Sequence, residues 1–241
     1  MTETKTLPEF KGKPLIEISE HIPQADLLGG DFGEACLEEY KGRAEKDYHG
    51  NKVLYVLSYD GENVIGSNDF AVVLMNKILA QEGLRTATPA DLERILKLNA
   101  LLLNGTYEDS ALVLRGIDEP NKYLAKALYD QVRGRQPKTK MPVMIPLSGL
   151  ELQTDQDSPY GLSFKLGENA ELYSIPLLNK EGDFNSEDID EKTGFPNKFG
   201  KGNRHHYNAE SGLCGLCLGG DLSLDSYGGG LAGSIGVGRV V

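Results

Sequence analysis

The chain has 241 residues, an ordinary hydrophobic fraction and a net charge of −11, which allows a sizeable core in one domain or two small ones. That charge argues against nucleic acid, held mostly by Lys and Arg on phosphates, and against an anionic membrane surface. Three cysteines are too few for a disulfide framework, no apolar run reaches the length of a membrane span, and "MTETKTLPEFKGKPL" carries no apolar signal core.

Residues 1–50 are polar and irregular, with short apolar patches, and are expected to form a wrapping or assembly segment ahead of a domain spanning 51–241. "KVLYVLSYD" (52–60) is rich in β-branched and aromatic residues and predicts a strand. "SNDFAVVLMNKILAQEGL" predicts a helix capped by Asn68 or Asp69 and ended by Gly83. "TATPADLERILKL" predicts another, with Thr88 as N-cap, Pro89 at the first position and Asp91 completing a capping box. A third covers roughly 120–134, with Leu124, Leu128 and Val132 at steps of four. The pattern then changes to strands at "MPVMIPL", "GLELQ", "YGLSFKL" and "AELYSIPLL", followed by a long polar loop over 179–210. This order predicts an α+β fold, a mainly antiparallel sheet with two or three helices.

Most motif-like stretches reduce to plainer explanations. Cys214 and Cys217 form a C-x-x-C, but a zinc site needs a second pair, and a redox pair belongs at the start of a helix. The adjacent His205 and His206 are poorly spaced for one metal and are expected to be exposed in the loop. Glu119-Pro120-Asn121 matches a sugar-binding tripeptide of C-type lectins, yet Pro120 stands where a helix begins and the chain has no Trp. "DFNSEDIDE" lacks the glycine and glutamate of a calcium loop. The glycines of "GGGLAGSIGVG" have no following helix to bind phosphate with. No catalytic residue, metal or cofactor is expected.

The tail, residues 211–241, is different. It contains no Lys, Glu, Gln, Met or Trp, whereas the preceding part of the chain would lead one to expect about seven of these. The five missing types share one property: no codon ending in C or T encodes any of them. Random replacement of the adenines of an AAC or AAT codon yields Ser, Gly, Asp, Cys and Tyr among its products. Those types dominate the gaps between Leu213, Leu216, Leu218, Leu222, Leu224 and Leu231. Leucine codons such as CTG or CTC carry no adenine, so adenine-directed mutagenesis accounts for the ordered leucines and the varied gaps together.

The tail resembles the variable region of diversity-generating retroelement proteins of the archaeal and archaeal-virus type, which end in a pattern like "SGL..L.L...L.L......LA.S...GRVV". "NKILAQEGLRTATPADLERIL" is similar to the helix, Thr-rich turn and helix of the formylglycine-generating-enzyme branch of the C-type lectin fold. The resemblance implies a non-enzymatic display protein for a variable ligand, a protein or cell-surface molecule, used in host attachment or surface recognition from a virion or the cytoplasm. It implies a fixed scaffold of leucines with Gly238, Arg239 and Val240. The changeable surface would be Cys214, Gly215, Cys217, Gly219, Gly220, Asp221, Ser223, Asp225, Ser226, Tyr227, Gly228, Gly229, Gly230, Gly233, Ile235, Gly236 and Val237. Strand alternation then predicts the leucines buried and Asp221, Ser223, Asp225, Ser226 and Tyr227 together on one solvent-facing surface, with "GGD" and "DSYGGG" as turns. Competing readings are a thiol redox enzyme using Cys214 and Cys217, and a structural virion component whose tail only packs.

Overall fold

The computed structural model describes residues 9–10, 13–14, 26–98, 103, 105, 107–209, 211–226 and 230–233. In chain order these hold β1 (Glu9–Phe10), β2 (Lys13–Pro14), α1 (Gly30–Tyr48), β3 (Ser58–Tyr59), β4 (Val64–Ile65), α2 (Asp69–Leu79) and α3 (Pro89–Leu98). There follow β5 (Glu108–Leu114), α4 (Lys122–Arg135), β6 (Val143–Pro146), β7 (Leu150–Thr154), β8 (Leu162–Leu166) and β9 (Tyr173–Ser174). The last are β10 (Gly182–Phe184), β11 (Arg204–Asn208), β12 (Leu213–Leu218) and β13 (Leu224–Ser226). The fold is α+β.

Seven strands form the main sheet in the order β10-β11-β13-β12-β5-β6-β9. Every pairing in it is antiparallel except β11 with β13. Both faces of its centre are covered. On one side Leu112, Leu114, Val143, Ile145 and Leu213 meet residues of α1, α2 and α4 and the β7–β8 hairpin. On the other, Ala111, Val113, Met144, Leu216, Leu218 and Leu224 meet Leu92 and Ile95 of α3, with Phe184 and Phe195. Two-sided burial explains why residues 111–114 of β5, and β6, are continuous apolar runs instead of alternating ones.

The helix signals hold. Asn68 Oδ1 accepts from the Ala71 N–H at 2.7 Å and caps α2. Gly83 takes the left-handed conformation after a short 3₁₀ extension. Thr88 and Asp91 exchange the bonds of a capping box at the start of α3. The third predicted helix is α4, with Asn121 as its N-cap.

Three expectations need correction, and one strand goes unpredicted. Residues 30–48 are not irregular: they form α1, whose Cys36, Leu37, Tyr40 and Ala44 enter the core shared with α2, so the described residues hold four helices. Its side chains include many charged groups, which obscured a stripe that is only narrowly apolar. "KVLYVLSYD" is a 3₁₀ turn at Lys52–Leu54 followed by the two-residue β3, because Tyr40 Oη and the Asn51 side chain bind that backbone locally. The 179–210 segment is no continuous loop, since β10 and β11 lie in it and pair with each other. β5 gave no periodic signal, being buried on both faces.

Candidate ligand-display face

β12 runs beside β5 in antiparallel register, with Leu213 opposite Leu114 and Leu216 opposite Ala111. A bulge then leaves Ser110 as an extra residue on β5, and its hydroxyl donates to the Leu216 carbonyl at 3.0 Å. Beyond it Cys217 stands opposite Asp109. Cys217 is also opposite Asp225 of β13, which is opposite Tyr207 of β11. Tyr207, Asp225, Cys217 and Asp109 therefore form one row across four adjacent strands, on the face opposite Leu216 and Leu218. Tyr207 is 42% exposed and the other three are half-buried. His205 lies two residues along, its ring 4.5 Å from that of Tyr207 and its Nδ1 2.7 Å from Asp183.

Gly215 shares this face. A Cβ there would lie 2.7 Å from Oδ2 of Asp69, so the carboxylate at the start of α2 rests on the strand where a side chain is missing. Asp69 is only 4% exposed and its Oδ1 has no hydrogen-bond partner among the described residues. Burial, with the neighbouring charge of Asp109, raises the Asp69 carboxyl well above the usual range. Burial likewise pushes Asp109 up to about 6, although the Ser67 hydroxyl donates to it. Burial and the surrounding carboxylates raise the Cys217 thiol too.

The proposed changeable positions divide. Gly215, Cys217 and Asp225 lie on the row's face; Gly220, Asp221, Gly230 and Gly233 are exposed, and Gly219 is half-buried. Gly219 to Ser223 make a tight turn, with Leu222 at φ 64. Tyr227, Gly228, Gly229, Ile235, Gly236, Val237, Gly238, Arg239 and Val240 lie outside the described residues.

Four expectations of exposure are overturned. Cys214 is fully buried, because an odd spacing from Cys217 in one strand turns it to the opposite face, opposite Val113. Burial pushes its thiol up to about 11. Ser223 is buried, its hydroxyl donating to Asp221 across the turn. Ser226 is 0% exposed: it accepts from Arg115 Nη2 at 2.6 Å and lies 2.9 Å from His206 Nε2. His206, expected to be exposed, is completely buried between Phe195 and Phe199. Its Nδ1 faces the Lys180 carbonyl at 2.8 Å and must donate, so Nε2 accepts from the Ser226 hydroxyl.

The leucines also split. Leu213 and Leu231 join the helix side, Leu216, Leu218 and Leu224 the α3 side, and Leu222 is half-buried in the turn. That turn is clamped by Arg204, which donates to the Leu222 carbonyl at 2.6 Å and pairs in a two-pronged manner with the buried Glu93 of α3. Tyr207, Asp109, Asp69 and Arg204 escaped sequence reasoning because they come from three separate segments, β11, β5 and α2. Their one available signal was the strand-like alternation of "RHHYN".

With Cys214 and Cys217 on opposite faces and both thiols raised, they do not form the paired site that thiol redox chemistry requires. Among the described residues no group of three His, Cys, Asp or Glu could hold a metal ion, and no helix is long and apolar enough to cross a membrane. No family model matches the chain, and neither does a curated protein or a solved structure.

Proposed function

We propose that this chain is a ligand-binding display protein whose C-terminal segment is diversified by adenine-directed mutagenesis, carried on a C-type lectin-like fold of the formylglycine-generating-enzyme branch. The observation that carries this reading is the codon-restricted composition of residues 211–241. The geometry supports it in a narrower form than the spacing of the leucines implied. Gly215, Cys217 and Asp225 share a face with the exposed Tyr207, Gly219–Asp221 lie in the turn that joins β12 to β13, and Gly230 and Gly233 are exposed. Changes at the exposed Gly220, Asp221, Gly230 and Gly233 cost little stability, whereas Cys214, Ser223 and Ser226, and Gly215 beneath the Asp69 carboxylate, belong to the scaffold. Tyr207 supplies a constant aromatic anchor beside the variable strands, a large rigid surface with a polar tip. The ligand is a protein or cell-surface molecule, and the role is recognition or attachment without catalysis.

Sequencing the DNA around the gene tests this. The expected result is a nearly identical repeat of the 211–241 coding stretch that differs only at adenines, next to a reverse transcriptase gene. If both are missing, the proposal fails.

A further inference from the structure

A cavity of about 430 Å³ opens between β6, the start of α3, the loop before β9 and the turn at Lys192–Thr193. That volume is within the range of small-molecule sites. Its floor includes Met144 and Pro146. Met144 packs on the α3 side of the sheet, so the cavity lies on the opposite face from Cys217 and Asp225. Gly194 closes one wall: a Cβ there would lie 2.3 Å from the Pro89 backbone, and its φ of +68 suits glycine.

The lining is cationic in a protein of net charge −11. Arg85 and Arg94 are braced by a single carboxylate, Asp91, at 2.5 and 3.6 Å. Asp91 is nearly buried while both arginine side chains are about half exposed, so the pair keeps a surplus positive charge and holds its guanidinium groups at the rim. Arg85 and Thr88 bonds hold the Asp91 carboxyl below its ordinary range against the effect of burial, so it stays ionised as their brace. Lys192 adds a third cation, its Nζ 5.4 Å from the centre of the Tyr173 ring. The second carboxylate of the lining, Glu171, accepts from the Tyr173 hydroxyl. Three cations against two carboxylates leave the cavity net positive. Arginines held in place by a shared acceptor lose little freedom when they grip a planar or tetrahedral oxyanion.

We propose that this cavity binds a small oxyanion-bearing ligand, its phosphate or carboxylate held by Arg85, Arg94 and Lys192. The site stands on residues outside the 211–241 tail and does not depend on the display reading. It would give every sequence variant of the tail the same second ligand.

The test is calorimetric titration of the whole chain with phenyl phosphate and, separately, benzoate. The Arg94→Ala/Lys192→Ala double variant is the comparison. Arg85 is left in place because it braces the cap of α3. Saturable binding that weakens about tenfold or more in the double variant, with an unchanged melting temperature, supports the site. The tighter of the two probes identifies the oxyanion. If the double variant melts early, Lys192→Glu serves as the comparison, with the same loss expected. No saturable binding by either probe, or equal affinity in the variant that folds, overturns the proposal.

Discussion

Arg115, the residue after β5, donates to Ser226 on β13 at 2.6 Å, joining a residue ahead of α4 to one inside the compositionally restricted tail. Arg115 also donates twice to the Leu178 carbonyl, and Ser226 donates to His206. A variable-looking position is thus the centre of a buried polar network. Ser226→Ala should cost about 1–3 kcal/mol by leaving Arg115 and His206 short of a partner. Ser226→Tyr should cost more, since no space adjoins a side chain that is wholly buried. Gly230→Tyr, where a Cβ meets nothing within 4 Å, should stay within about 0.5 kcal/mol of the parent. Urea unfolding of the three variants checks this, and equal stability of the two Tyr variants would contradict the division into scaffold and display positions.

Asp109 should destabilise the fold at neutral pH. Its folded-state pKa of about 6 lies above the ordinary 3.8, so the folded state holds the extra proton and stability falls as pH rises through that window. Asp109→Asn removes the titration. The variant should be more stable than the parent at pH 7.5, by about 1–3 kcal/mol, with the gain shrinking toward zero near pH 4. Denaturant curves at both pH values decide it, and a less stable variant at pH 7.5 would refute the account.

His206 carries the opposite sign. Burial lowers its pKa from 6.5 to about 4, so the folded state keeps it neutral while the unfolded chain takes up a proton. This stability is fully present above about pH 6.5 and is lost as pH falls toward 4, a total of about 3 kcal/mol. Measuring in the Asp109→Asn background separates the two effects. NMR titration of the imidazole gives the direct reading; a midpoint near 6.5 for His206 would show that the buried site is wrongly described.

The cysteines should be inert in the native protein. With Cys214 pushed up to about 11 and Cys217 raised well above its ordinary value, little thiolate exists at pH 8. Alkylation by iodoacetamide should be slow until urea is added, and a mild oxidant should produce no Cys214–Cys217 disulfide. Rapid labelling of both thiols, or an intramolecular disulfide in the folded chain, would restore a redox role.

Local chemistry alone was enough to place α2, α3 and α4, because their caps and apolar spacing act within a few residues: Asn68 on Ala71, and Thr88 with Asp91. The restricted residue set of the tail was likewise readable from residue types, since it is a property of composition and needs no contacts. What alternation could not decide was which neighbour each side of a strand would meet. Leu213 and Leu216 are three residues apart and so enter different cores, which carries Cys214 inward. Asp225, two residues from the buried Ser223, joins a row with Tyr207, Cys217 and Asp109 through pairings that span much of the chain. Whether Ser226 faces solvent depended on Arg115 arriving from the end of β5 and His206 from β11. Only long-range strand order brings such groups together, because burial of a residue is set by what packs over it and not by its own spacing.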